Sequence, residues 1–193
     1  TGVMSGAGGL TTVNMLAGTL TVDGTRGTIT TLTKTAGTAY VYTTVTTATN
    51  TAGALTLTTG GMTLLTNSGE FTHSGSVTLA AIVQLSGTVT LTHASSVVTL
   101  LTKAAGNAYL AGSCVTSTNT SGTLAIGSGN VTALTSYSGA VTYGGVGTFT
   151  AATIYGGLFT SSSGAFTFLY VVNGTASIRG AGANGRPRSH QRP

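Results

Sequence analysis

Few side chains in this sequence are equipped for acid–base, nucleophilic or metal chemistry. Of 193 residues only two are acidic, Asp23 and Glu70; three are histidines, His73, His93 and His190; and one is a cysteine, Cys114. A glycosidase-type site needs two carboxyl groups held about 5–9.5 Å apart. Asp23 precedes Gly24, which is the pattern of a turn, and Glu70 falls roughly three repeats later, about 14 Å away at the usual strand spacing. His73 and His93 stand about one repeat apart, and two histidines can begin a metal site; each reads more simply as a hydrogen-bonded or solvated imidazole. A single cysteine excludes an intramolecular disulfide and a cysteine metal cluster, and Cys114, beside Val115, reads as a small space-filler. No serine is marked as a nucleophile and no glycine fingerprint for phosphate is present. These residues predict no enzyme, no metal and no cofactor.

The elements that must position them are one short unit repeated end to end. A glycine returns every sixteen to nineteen residues, at Gly18, Gly37, Gly53, Gly69, Gly87, Gly106, Gly122, Gly139, Gly157 and Gly174. A threonine keeps the same beat, at Thr30, Thr46, Thr63, Thr78, Thr99, Thr116, Thr132, Thr150 and Thr167. Self-similarity at a fixed short period marks a solenoid or array. Two places after each glycine the residue is always apolar (Leu20, Ala39, Leu55, Phe71, Val89, Ala108, Leu124, Val141, Phe159, Ala176), and four places after it is mostly so. This alternation predicts a strand with one buried face.

A second strand surrounds each threonine. The residue just before it is apolar (Ile29, Val45, Met62, Val77, Val98, Val115, Val131, Phe149, Phe166), and the next inward candidate lies three residues further on. That spacing breaks period two and predicts a bend where the chain turns a corner. The glycines are expected at corners that need positive φ or close backbone approach. The predicted fold is all-β: a parallel β-solenoid of about ten coils with about 17 residues per coil, occupying residues 10–178, behind a lead-in or cap at 1–9. Like columns would stack into ladders, the outer one a file of threonine hydroxyls bonded from coil to coil. An up-and-down barrel explains the fixed columns less well. The coil between Thr78 and Thr99 is long, and its extra residues are expected to bulge as a loop.

Composition agrees. Charged residues are 5% of the chain, against about 25% in ordinary domains. The body holds Arg26, Lys34 and Lys103 against Asp23 and Glu70, while Arg179, Arg186, Arg188 and Arg192 crowd the end. The basic balance therefore reports a flexible Gly/Pro/Arg-rich tail at 179–193, through which alone nucleic acid is an expected partner. No apolar run of 18 residues occurs, so no helical membrane span is expected. No signal peptide is visible at the start, and a chain beginning at Thr1 reads as a processed or excised piece.

Residues 27–33 (GTITTLT), 121–132 (SGTLAIGSGNVT) and 139–142 (GAVT) resemble the Thr/Gly-rich β-solenoid repeats of bacteriophage virion and bacterial surface proteins. The resemblance extends over residues 10–178 and implies a stiff structural or adhesive shaft, located on a virion, on a cell surface or outside the cell. Open solenoid ends expose unpaired backbone, so self-association or continuation into a longer rod is expected.

Two other readings stand beside it. The chain resembles Thr-rich antifreeze solenoids, which implies an ice-binding face. In the strand after each glycine, however, only Thr19/Thr21 and Thr88/Thr90 form a full outward Thr-x-Thr pair. A glycan-binding solenoid is the third reading; Tyr40 and Tyr109 share one outward column, four coils apart, and exposed aromatics can stack on sugars.

Overall fold

The computed structural model describes residues 1–145, 147–162, 165–179 and 188–189. The chain winds as a β-solenoid of about ten turns with roughly 17 residues per turn, and no helix occurs among the described residues. Each coil contributes one short and one long strand, and these stack into two parallel 11-stranded sheets.

The first sheet holds the short strands: β1 (Gly2–Met4), β3 (Thr19–Val22), β5 (Thr38–Val41), β7 (Ala54–Leu57), β9 (Glu70–His73), β11 (Thr88–Leu91), β13 (Asn107–Leu110), β15 (Thr123–Ile126), β17 (Ala140–Tyr143), β19 (Leu158–Ser161) and β21 (Thr175–Ile178). The second holds the long ones: β2 (Leu10–Met15), β4 (Ile29–Lys34), β6 (Val45–Asn50), β8 (Met62–Asn67), β10 (Thr78–Gln84), β12 (Val97–Lys103), β14 (Ser113–Asn119), β16 (Val131–Ser136), β18 (Thr148–Ile154), β20 (Ala165–Val171) and β22 (Arg188–Ser189). Every strand pairs with its equivalent one coil along, as in Leu20↔Ala39↔Leu55↔Phe71.

The short strands follow the predicted alternation, with the second and fourth residues buried. The long strands do not turn a corner at the three-residue spacing. In β4, Ile29, Leu32 and Lys34 point inward while Thr30 and Thr31 both point outward, all within one strand. Pairing continues on either side, Ile29↔Val45 and Thr31↔Thr47. In place of the predicted corner there is a local break in alternation within one strand, two outward residues side by side, repeated coil after coil, and each coil has two strands.

The core between the sheets is aliphatic at first (Val22, Leu32, Leu55, Leu65) and aromatic towards the C-terminal coils. There Tyr143 meets Phe149 edge-on at 4.6 Å, and Phe149 stacks on Phe166 at 5.2 Å. Such pairs add to burial because ring edges and faces carry opposite partial charge.

The two corners of each coil differ. From long strand to short, the corner has three residues in every coil but one, and it carries the recurrent glycine. At Gly37, φ is +80° and a Cβ would fall on the carbonyl oxygen of Gly18 in the coil before. Eight of the ten named glycines have positive φ; Gly69 and Gly174 do not. The corner before Glu70 spans residues 68–69 only, and Gly69 is needed there for close approach, its Cβ position lying 2.6 Å from the Gly53 carbonyl oxygen. The opposite corner is variable, from residues 111–112 to residues 23–28. The coil expected to be long is not exceptional: Ala80, not Thr78, is the equivalent of Thr99, which leaves 19 residues, the same as from Thr11 to Thr30, and its variable corner is residues 92–96, with His93, Ala94 and Ser95 exposed.

The solenoid begins earlier than expected, because β1 lies in the presumed lead-in 1–9 and pairs with β3. The expected tail contains β22, whose Arg188 pairs with Tyr170. Arg186, His190 and Arg192 lie outside the described residues.

Candidate functional site

Two features repeat along the solenoid: an outer threonine face on the long-strand sheet and a polar ladder inside one corner.

The register places Thr30, Thr46, Thr63, Thr99, Thr132, Thr150 and Thr167 in one outward column. Thr78 and Thr116 are not in it. Thr78 pairs with Val97, and Thr116 with Leu100 and Ala133; Ala80 and Val115 take their places. Accordingly Leu79 and Cys114, not Val77 and Val115, fill the inward column. A second outward file, missed in the sequence reading, runs three residues further along each strand: Thr33, Thr49, Thr66, Thr102, Thr118, Thr135 and Thr153, interrupted by Val83. The threonines of the first column do not hydrogen-bond to one another. Coil-to-coil hydroxyl bonds form instead at the corners, where Ser86, Ser121 and Ser138 donate to Ser68, Ala104 and Thr120 carbonyls at 2.6–2.9 Å.

The ladder lies where each long strand enters the glycine corner. Its rungs are Lys34, Asn50, Asn67, Gln84, Lys103, Asn119 and Ser136, all buried. Lys34 Nζ donates to Asn50 Oδ1 (2.9 Å) and the Ala52 carbonyl; Asn50 Nδ2 donates to Asn67 Oδ1 (2.8 Å) and the Glu70 carbonyl (2.9 Å). Asn67 and Gln84 reach the Thr88 and Asn107 carbonyls at 3.1 and 2.7 Å. Lys103 Nζ donates to Asn119 Oδ1 (3.0 Å) and the Ser121 carbonyl, and Asn119 Nδ2 to Ser136 Oγ (3.2 Å) and the Ser138 carbonyl (2.9 Å). Each rung from Lys34 to Asn119 thus donates to backbone of the next coil. Gln84 Oε1 finds no partner among the described residues.

Both lysines are fully buried with no carboxylate beside them. Burial pulls the Lys34 amine below its ordinary value and the Lys103 amine to about 8, since a low dielectric disfavours the charged form. In both coils the core residue that follows is alanine, Ala39 or Ala108, which leaves room for the longer stem. The signal was present in the sequence: a polar residue stands three places before Gly37, Gly53, Gly87, Gly106, Gly122 and Gly139.

The sequence candidates for chemistry lie apart from one another, and most bond to backbone. Asp23 closes a turn, accepting from the Thr25 amide at 3.0 Å, and Glu70 is exposed on β9. His73 is buried, its ring nitrogens 3.0 and 3.1 Å from the carbonyl oxygens of Gly75 and Gly60; burial lowers its pKa and those carbonyls partly offset the effect. His93 Nδ1 accepts from the Ser95 amide. Burial pushes the Cys114 thiol up to about 12, so it is inert as a nucleophile. Tyr40 and Tyr109 are exposed on the outer face of the short-strand sheet, in the shared column of β5 and β13. No helix among the described residues is long and apolar enough to cross a membrane.

Comparison of the chain with protein-family models, with curated proteins and with solved structures finds no match.

Proposed function

We propose that the chain is a non-enzymatic structural or adhesive shaft of the virion or cell-surface kind, with a place outside the cell or on a particle. The observation that carries this reading is continuous register: both sheets run unbroken from the first coil to the last, so the same cross-section repeats over roughly 45–50 Å. Its side chains serve that continuity. The hydrophobic core and polar ladder join each coil to the next, and His73 and Cys114 are buried within the wall.

The test is an in-register deletion. Lys34 and Lys103 are rungs of the same ladder four coils apart, so removing residues 35–103 joins equivalent positions. A shaft so shortened still folds, and electron microscopy of the assembly that carries it shows a span reduced by about 19 Å. An assembly of unchanged dimensions, with the shortened chain incorporated, overturns the reading.

Ice binding is the second reading, and the second threonine file favours it. Two files three residues apart on one sheet make a broader rank of hydroxyl and methyl groups than the first column alone. Thermal hysteresis and recrystallisation inhibition at micromolar protein test it; no activity from the folded chain rejects it.

A further inference from the structure

Two exposed tyrosines lie face to face on the glycine-corner flank. Tyr137 follows β16 and Tyr155 follows β18, each as the first residue of a three-residue corner that ends at Gly139 or Gly157. Those glycines share one backbone conformation, with φ +83° and +82°. The two side chains therefore leave the solenoid in the same direction, one coil apart. The backbone holds the corners together: the Tyr155 amide donates to the Ser136 carbonyl at 2.8 Å, and a Cβ on Gly156 would fall 2.7 Å from the Tyr137 carbonyl oxygen. The ring centroids are 5.2 Å apart and the planes 8° from parallel. Tyr137 is 52% exposed and Tyr155 45%, so solvent reaches both phenols.

The chain has no tryptophan, and its one thiol is buried. Phenols are then the exposed groups that give up an electron most readily. The other tyrosines are placed differently. Tyr143 is buried and donates to the Gly129 carbonyl at 2.6 Å. Tyr40 stands between Thr21 and Thr56 of the neighbouring coils, Tyr109 between Thr90 and Ala125, and Tyr170 beside Thr153. Among the described residues, Tyr137 and Tyr155 make the only contact between two tyrosine rings.

We propose that Tyr137 and Tyr155 form an oxidative cross-linking site, at which a haem peroxidase with hydrogen peroxide joins the two rings into a dityrosine. Each phenol gives up one electron and its hydroxyl proton. The two radicals combine through a carbon–carbon bond between ring positions ortho to the oxygens, and the hydrogens of those carbons move to the oxygens. The peroxide takes up the two electrons and two protons and becomes water. Both rings project into solvent, which leaves them free to slide into the bonding position. A radical with its partner already beside it couples before it meets another chain, because a tethered group acts as though present at roughly millimolar concentration or above. The product ties successive coils covalently where backbone hydrogen bonds and the Ser138 hydroxyl otherwise join them. The site depends on coil register and not on the shaft reading.

The test treats the whole chain, at micromolar concentration, with a haem peroxidase and hydrogen peroxide, and recovers the monomer by size exclusion. The expected monomer fluoresces as dityrosine, is lighter by two hydrogen atoms, and gives a peptide map that joins Tyr137 to Tyr155. Tyr137→Phe and Tyr155→Phe keep a ring in the stack but remove a phenol, and each is expected to lower the monomer's fluorescence by about tenfold or more. Tyr109→Phe is expected to leave it unchanged. The map of the wild-type chain stands by itself if a variant fails to fold. A monomer without dityrosine, under conditions that couple free tyrosine in a parallel reaction, overturns the proposal. So does dityrosine confined to linked dimers, or a map that joins other tyrosines, such as Tyr40 to Tyr42, in place of this pair.

Discussion

Lys103 and Asn119 are joined inside the wall of the solenoid, Nζ to Oδ1 at 3.0 Å, and Lys34 and Asn50 repeat the arrangement at 2.9 Å. In each pair an ammonium without a counter-ion is held by a side-chain amide and a backbone carbonyl of the next coil. Removing the acceptor is worse than removing the cation, because a buried charge stripped of a partner keeps its desolvation penalty. Asn119→Ala is therefore expected to destabilise by about 2–4 kcal/mol. Lys103→Met, which keeps the stem and drops the charge, is expected to lose less than about half of that. Urea unfolding of the two variants checks the order.

Alkaline titration separates two opposed groups. The Lys103 amine titrates at about 8 in the folded chain against an ordinary 10.5. Between those values the unfolded chain binds more protons, so stability rises with pH there; Lys34 shifts the same way. The Cys114 thiol moves from 9.0 to about 12. Over that window the folded chain keeps a proton the unfolded chain has lost, and stability falls as pH rises; Tyr143, raised by burial, adds in the same direction. Wild-type stability is expected to climb from about pH 8 to about pH 9 and then flatten or turn down. Lys103→Met removes much of the climb and Cys114→Ala much of the fall, read as urea midpoints across the series.

Glycines at the two kinds of corner predict a sharp contrast between substitutions. Gly106 has φ +80°, and a Cβ there would land on the Gly87 carbonyl oxygen. Gly106→Ala combines backbone strain with a clash that can be relieved only by parting two coils, a loss of about 2 kcal/mol or more. Gly61 has no atom within 4 Å of its Cβ position, and Gly61→Ala is expected to be within about 0.5 kcal/mol of neutral. Thermal unfolding of the two proteins decides.

The aromatic end of the core offers a fourth test. Phe149 touches Tyr143, Phe159 and Phe166 within 5.7 Å. Phe149→Ala leaves a cavity that three rings cannot close, with an expected loss of about 3–5 kcal/mol. Hydrogen exchange is expected to rise first in β16, β18 and β20, since contacts in a solenoid pass only between neighbours.

Much of this fold was legible in the sequence, and the errors have a common cause. The short strands follow a strict corner, so counting forward from each glycine found their inward columns without fault. In the long strands a register taken on threonine misleads, because threonine is the commonest polar residue on both outward files and a threonine-rich strand offers false positions. Val77–Thr78 imitates the true pair Leu79–Ala80 two residues early, and Val115–Thr116 imitates Cys114–Val115 one residue late. Counting back from the glycine resolves both: Ile29, Val45, Leu79, Val98 and Cys114 all stand eight residues before one. The polar ladder is hard to see because lysine and asparagine read as surface residues one at a time, and only their recurrence three residues before the glycine, two at Asn67, shows that they face inward.

The unequal corners give the solenoid one flank that tolerates writing. Residues can be added at the variable corner of any coil, near Ser95 for instance, without disturbing strand pairing, so guest peptides could be mounted at a pitch of about 4.8 Å. A guest helix about 10–12 Å wide overhangs its neighbours at that pitch. Bulky guests must therefore occupy every third coil, and the rod becomes a graduated scale whose finest mark is smaller than what it carries.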